Sequence, residues 1–305
     1  MKSQKTLSIE IDGGLGNQLF MLSAGIFLSE KYKRKICFDI SNLARIARLH
    51  PGHNILTLGL LGEFQVKDTS ESFGKNRIRH LYLKFRNYLS TRILSRLPRS
   101  TTLQVSEIGF YDFDLLPPYS RKIVGYFQTW KYYSEIEGKL NLGRLIHREH
   151  SEWYRTQKKV LEQGTVAAFH MRRGDYSLSI NRSNGILSLE YFESIMNLIP
   201  YNVDFWIFTD EPTSVRGELF KLRSNHRKIY VLEPPVDSDP IESMLLMSHA
   251  SYIAISNSTF SWWSAALANN ETQIFAPSKW FEGRRDPLEL IPENWIKIES
   301  KWVSQ

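Results

Sequence analysis

Thr165-Val166-Ala167-Ala168-Phe169 runs directly into His170-Met171-Arg172-Arg173-Gly174-Asp175-Tyr176. An apolar run of that length, broken abruptly by charge, reads as a strand buried on both faces of a sheet. In an open α/β sheet ligands bind beyond the carboxyl ends of the strands, so the polar groups that follow stand where a ligand would. Arginine carries a permanent charge and a planar fork of donors that matches phosphate oxygens. Two in succession point to a diphosphate. The same residues also suit a solvated turn held by an Arg–Asp pair, and locally both readings stay open.

Working outward, the second half of the chain alternates strand and helix. Strands are expected at 165–170, 204–209, 228–232, 252–256 and 272–276, with helices near 188–198, 213–222, 240–249 and 261–269. Such alternation implies a parallel sheet with right-handed crossovers. Its carboxyl edge would then gather His170, Arg172, Arg173 and Asp175, then Thr209-Asp210-Glu211, then Ser256-Asn257-Ser258-Thr259-Phe260-Ser261 ahead of Trp262-Trp263. Ser258 or Thr259 would open a helix, where free N–H groups and the dipole attract phosphate. A plain helix cap explains those hydroxyls equally well.

Toward the N-terminus, Leu7–Ile11 alternates like a strand, and Asp12-Gly13-Gly14-Leu15-Gly16-Asn17-Gln18 reads as a glycine-rich turn. A helix from Leu19 to about Lys33 and a strand at 35–39 complete a βαβ unit. Gly14 and Gly16 would let backbone N–H groups approach a ligand closely, although the spacing is neither a dinucleotide fingerprint nor a P-loop. Gly125-Tyr126-Phe127-Gln128-Thr129-Trp130-Lys131-Tyr132-Tyr133 is an aromatic cluster that closes this half, and the polar stretch 141–159 reads as a helical linker. The expected organisation is an N-terminal α/β domain over 1–155 and a nucleotide-binding Rossmann-like domain over 156–285. A tail over 286–305 would pack back on the first domain.

The chain has 305 residues, one cysteine (Cys37) and a formal net charge of +7. One cysteine excludes an intrachain disulfide and a cysteine-rich zinc site. The positive balance points to an anionic partner. Part of it sits between Gly74 and Ser106, which hold no acidic residue but Lys75, Arg77, Arg79, Lys84, Arg86, Arg92, Arg96 and Arg99. Ile78, Leu81, Tyr82, Phe85 and Leu89 recur between them at helical spacing, so 75–99 suits either an anionic membrane surface or a core-packed helix with a basic outer face. No signature of a nucleic-acid fold is present, and nucleic acid is not expected as a partner. No apolar run reaches the roughly 18 residues of a spanning helix, and Met1–Lys5 leads into a strand rather than a signal core. A cytoplasmic protein, peripheral on the inner membrane through 75–99, is the expectation. Asp112-Phe113-Asp114 and Asp237-Ser238-Asp239 have the Asp-x-Asp form that holds a metal–diphosphate in some glycosyltransferases. The arginines already offer that positive charge, so no metal is expected.

Four blocks together carry a resemblance: Gly13-Gly14-Leu15-Gly16-Asn17-Gln18-Leu19-Phe20, Gly125-Tyr126-Phe127-Gln128 with Lys131-Tyr132, His170-x-Arg172-Arg173-x-Asp175, and Ser256-Asn257-Ser258-Thr259-Phe260-Ser261-Trp262-Trp263. In order and spacing, over about residues 9 to 267, the chain resembles the bacterial-type α-1,2-fucosyltransferases of glycosyltransferase family eleven. The resemblance implies a GT-B fold, with two Rossmann-like domains facing across a cleft. It also implies inverting transfer of L-fucose from GDP-fucose, a donor substrate rather than a cofactor, to the 2-hydroxyl of a galactoside. Such an acceptor would end an oligosaccharide of a cell-envelope glycan such as O-antigen, either free or lipid-linked.

By the same resemblance, the arginine that holds the donor diphosphate is Arg172 or Arg173, with Arg172 favoured. His170 is implied as a nucleotide contact and Glu242 as the carboxylate that reads guanine, where many relatives have Asp. Asn257, Ser258, Thr259 and Phe260 complete the donor side with Gly14 and Gly16. A further Trp of the family's Trp-Trp block is Ala266 here, which touches packing more than chemistry. Asp175 is the carboxylate nearest these arginines in sequence and would serve as general base or orient Arg173, and Asn17 would position the acceptor or a water. The alternatives are another fucosyl linkage such as α-1,6, a non-catalytic sugar-nucleotide-binding protein, and a nucleic-acid binder driven by the basic segment.

Overall fold

A computed structural model describes residues 6–43, 55–62, 64–68, 101–106, 108–136, 149–174, 183–220 and 227–303. The expected base Asp175 and the basic segment 75–99 lie outside the described residues. The chain divides into two compact α/β units: residues 1–145 with 287–290, and residues 146–286 with 291–305.

The first unit is built on a parallel sheet of strands β1 (Leu7–Glu10), β2 (Ile36–Asp39), β3 (Gln65–Lys67), β4 (Thr102–Gln104) and β5 (Lys122–Val124), ordered β3-β2-β1-β5-β4. Helix α1 (Leu15–Tyr32) is buried along most of its first four turns, from Leu15 to Leu28, which is why its sequence is apolar nearly all round. Beside it, Phe27, Phe113, Phe127 and Tyr132 stack with centroids 5.0–6.3 Å apart, so the expected aromatic cluster is the core of this unit. Tyr132 belongs to helix α2 (Trp130–Ile136).

Helix α1 begins four residues earlier than the sequence pattern predicted. Gly14 is its N-terminal cap residue, so Gly16, Asn17 and Gln18 form its first turn instead of a loop. Gln18 fixes that start: its amide donates to Gly13 O at 2.8 Å, and its Oε1 accepts from Ile55 N at 2.9 Å.

The second unit opens with α3 (Glu152–Gln163), whose N-cap Ser151 accepts from Tyr154 N at 3.1 Å. The expected boundary at residue 155 therefore falls inside a helix of the second unit, and the division lies between Leu145 and Ile146. Strands β6 (Val166–Met171), β7 (Asp204–Thr209), β8 (Ile229–Val231), β9 (Tyr252–Ala254), β10 (Gln273–Pro277) and β11 (Ile296–Ile298) form a parallel sheet ordered β11-β10-β9-β6-β7-β8. All six residues of β6 are buried, as a central strand covered on both faces requires. Helices α4 (Leu189–Met196), α5 (Pro212–Leu219), α6 (Pro240–Ser248) and α7 (Thr259–Ala266) are the crossovers. Phe169, Tyr191, Phe192 and Phe205 fill one core layer, and Trp262 packs edge-on to Trp263 and against Trp295.

The C-terminal tail does not pack as a whole on the first unit. Only 287–290 joins it, where Leu288 O accepts from Phe110 N and Glu289 O from Trp130 N and Thr129 Oγ1. The rest returns to the second unit and adds β11 to the sheet edge.

Gly25 in α1 gives a test of this packing. A Cβ there would lie 2.5 Å from the Phe38 ring. Alanine normally gains about 1 kcal/mol over glycine in a helix, but overpacking costs typically 1–3 kcal/mol. Gly25→Ala should therefore lower the thermal unfolding midpoint, and a raised midpoint would contradict the α1–β2 contact.

Candidate functional site

The second sheet has the order of a dinucleotide-binding fold. From β6 the chain steps to β7 and β8 on one side, then returns to place β9 on the other. That reversal opens a crevice at the carboxyl ends of β6 and β9, where ligands of such sheets bind. These ends carry 170–174 and 256–260.

His170 is buried there, with Nδ1 2.7 Å from Ser256 Oγ and its ring 5.8 Å from that of Phe260. Burial drives its pKa well below the usual histidine value; Asp210 opposes the shift, and Arg172 and Arg173 add to it. The imidazole is therefore neutral at physiological pH and can orient or hydrogen-bond, but it contributes no cation.

The two arginines have different partners. Arg173 donates from Nε and Nη2 to the two carboxylate oxygens of Glu218 on α5, each at 2.7 Å, and from Nη1 to Arg172 O at 3.0 Å. Its guanidinium lies 5.9 Å from the Phe192 ring centroid, and its side chain is 8% exposed. Arg173 was expected on the donor. Instead, the fork that a phosphate would need is taken by Glu218, because a cation buried this deeply must be paired.

Arg172 is 20% exposed at its side chain and meets Asp210 Oδ2 from Nη1 at 3.1 Å. Asp210 Oδ1 also accepts from Arg173 N at 2.9 Å. A Cβ at Gly174 would lie 2.3 Å from Asp210 Oδ2, so the close approach of this turn to Asp210 requires glycine. Asp210 thus pins the whole turn. The sequence placed it at the edge of the adjacent strand without giving it a role, and its position just after β7 was the available signal.

At the end of β9, Ser258 holds the N-cap position of α7 but makes no side-chain cap bond. Neither its hydroxyl nor that of Thr259 donates or accepts among the described residues. The capping explanation therefore fails for Ser258, and both hydroxyls are available to a ligand. Asn257, expected beside them, is buried and donates from Nδ2 to Asn184 O at 2.9 Å and Gly185 O at 3.1 Å. It holds the loop ahead of α4.

Glu242, expected to read guanine, is buried in the first turn of α6. Its Oε1 accepts from Ser151 N and its Oε2 from Ser151 Oγ, both at 2.6 Å, so it anchors the start of α3. Burial, reinforced by the Glu242 charge, pushes the Tyr154 hydroxyl beside it up to about 12. The Asp-x-Asp triplets also serve chain geometry: Asp112 accepts from Asp114 N at 2.9 Å, and Asp239 caps α6 through Ile241 N at 3.0 Å.

In the first unit the corresponding reversal lies between β1 and β5. Gly13 there has φ +77°, a conformation that favours glycine, and a Cβ on Gly14 would meet nothing within 4 Å. Gly16 is buried inside α1, away from the turn proper. Asn17 Oδ1 accepts from Gln128 Nε2 at 2.9 Å across the switch point. Gln128 is positioned by Phe127, a non-glycine residue at φ +54°, and its Oε1 is buried with no hydrogen-bond partner among the described residues. The sequence reading placed Gln128 in its aromatic cluster but not in the site.

Residues 6–299 match the family described as Glycosyl transferase family 11. An Alpha-1,2-colitosyltransferase of Escherichia coli is 27% identical, over 94% of this chain and 97% of that protein. The O-antigen biosynthesis glycosyltransferase WbnK of Escherichia coli is also 27% identical, over 94% of this chain and 99% of that protein. Among solved structures, the fucosyltransferase NodZ from Bradyrhizobium is 12% identical, covering 88% of this chain and 94% of that one, with a TM-score of 0.46.

Two stability measurements test this geometry. Glu218→Ala leaves the Arg173 cation buried and unpaired, and should cost roughly 3 kcal/mol in denaturant unfolding; a cost near zero would remove Arg173 from its structural role. His170, whose folded pKa is depressed, should make stability fall as pH drops below about 6.5, by up to roughly 1.4 kcal/mol per pH unit. The unfolded chain takes up that proton first, so stability is complete above the unfolded pKa and is lost toward the lower folded value. His170→Gln should flatten the slope relative to the parent chain, and an unchanged slope would contradict a neutral buried imidazole.

Proposed function

We propose, for a chain that belongs to glycosyl transferase family 11, that it moves L-fucose from GDP-fucose to the 2-hydroxyl of a galactoside in a cell-envelope glycan, with inversion and without a metal. The observation that carries this reading is the asymmetry of the arginine pair. Arg173 is buried and committed to Glu218, whereas Arg172 stands partly exposed at the switch point, where its Nη1 meets Asp210. The Ser258 and Thr259 hydroxyls and the N-terminal N–H groups of α7 lie at the facing strand end. Together they make an anion site suited to a diphosphate.

In the displacement, the acceptor oxygen attacks the anomeric carbon as the bond to the β-phosphate oxygen breaks, and negative charge grows on GDP. Arg172 and the helix start meet that charge with fixed dipoles, which is where electrostatic stabilisation acts. The acceptor proton passes to Asp175, and the Asn17–Gln128 pair orients the acceptor hydroxyl. An acceptor on a lipid carrier brings the basic segment 75–99 to an anionic membrane surface. Among the described residues no helix is long and apolar enough to cross a membrane.

A second donor is favoured by one finding, the likeness to a colitosyltransferase. Colitose is fucose without its 3-hydroxyl, so the same diphosphate site would serve either sugar. Incubation with GDP-fucose and with GDP-colitose over a panel of β-galactosides, with the linkage read by NMR, tests the reading. An α-1,2 product from GDP-fucose is expected. An α-1,6 product, transfer from GDP-colitose alone, or GDP binding without turnover would each replace it.

Arg172→Lys keeps the charge but loses the fork, and turnover should fall roughly a hundred- to thousandfold while the thermal midpoint is retained. Activity should persist in excess EDTA; its loss there, restored by manganese, would overturn the arginine mechanism.

A further inference from the structure

The second unit carries a concave groove of about 480 Å³ that the proposed transfer does not use. It lies on the face of the sheet beside α3, starting at the amino ends of β6 and β7 and reaching Leu232 beyond β8. Arg172 lies six residues further along the chain from Val166 in its lining, about 20 Å at the rise of an extended strand. The groove is therefore a separate place. Its volume falls within the range of about 300–1,000 Å³ of small-molecule sites.

Strand pairing explains its floor. Ala168, Trp206 and Tyr230 are register partners on β6, β7 and β8 and share one face of the sheet. A parallel sheet normally hides such a row on both faces. Here β8 is the edge strand, and the row ends in a tyrosine that is 44% exposed, its ring stacked on no other ring among the described residues. Trp206 beneath it is 4% exposed. Its indole N–H makes no hydrogen bond among the described residues, and Trp206 lines the groove. A nearly buried donor without a partner costs free energy unless water or a ligand meets it.

The rim adds three amides and one carboxylate. Gln157, Gln163, Asn202 and Asp204 line the groove, and their side-chain polar atoms make no hydrogen bond among the described residues. Amides both donate and accept, which suits vicinal hydroxyls. Among the described residues the lining contains no lysine or arginine, although the chain carries a net charge of +7. That argues against a phosphate, a nucleotide or an anionic lipid, and a single carboxylate is too little for a metal ion. An open tyrosine face, an unsatisfied indole N–H and uncharged amides fit a neutral sugar ring, with apolar C–H faces against the aromatics and hydroxyls toward the rim.

We infer that this groove is a second, non-catalytic binding site for a neutral oligosaccharide segment. It rests on the lining alone and stands whether or not the transfer reading does.

The test uses the full chain labelled with fluorotryptophan, with the Trp206 fluorine resonance assigned by its disappearance in Trp206→Phe. The probes are a neutral galactose-containing tetrasaccharide, maltotetraose and, as the anionic control, GDP. At least one tetrasaccharide should shift the Trp206 resonance saturably, and GDP should not. Tyr230→Ala, at an exposed position, should fold normally and weaken that binding by about fivefold or more, with transfer to a monosaccharide acceptor unchanged. No shift with either sugar, a shift with GDP instead, or equal sugar affinity in Tyr230→Ala would overturn the inference. Absence of transfer together with a saturable Trp206 shift would sink the proposed function and leave the groove standing.

Discussion

Two guanidinium groups at the end of a fully buried strand must each be neutralised, and this constraint organises the site. Burying an unpaired cation would cost several kcal/mol, and arginine does not escape by losing its proton. The chain meets the requirement with two carboxylates from the same neighbouring stretch. Glu218 on α5 takes Arg173 in a two-pronged pair, and Asp210 at the end of β7 takes one nitrogen of Arg172 together with the backbone N–H of Arg173. Adjacent arginines thereby become different objects, one buried in the packing and the other part-exposed at the crevice.

The same division explains the rest of that edge. His170, desolvated and next to two cations, stays neutral and links β6 to Ser256 at the end of β9. Asn257 is spent on the loop at Asn184 and Gly185, which leaves Ser258 and Thr259 as hydroxyls without partners among the described residues. Of a motif that looks uniformly polar in sequence, about half builds the frame and half remains for a ligand.

The architecture was legible because buried parallel strands write themselves as apolar runs. Val166 to Met171 could hardly be anything else, and the strand–helix alternation after it gave a parallel sheet of Rossmann type. The start of α1 was misread because glycines signal turns, whereas Gly16 lies inside the helix and Gln18 closes its first turn with a side-chain bond. Partner choice was the least legible layer. Nothing local in the sequence tells Arg172 from Arg173, or says that Glu242 meets Ser151, because those partners lie 38 to 91 residues away and are set by packing. The Trp206–Tyr230 row was hidden for the same reason, since strand register brings it together.

The central claim is that the donor diphosphate binds at the reversal between β6 and β9. Amide hydrogen exchange of the full chain, with and without saturating GDP, tests it most directly. Added protection is expected at 171–174 and 258–261, with no change at 164–166 on the opposite edge. Protection confined to the glycine turn at 12–17, or none at 258–261, would contradict the account.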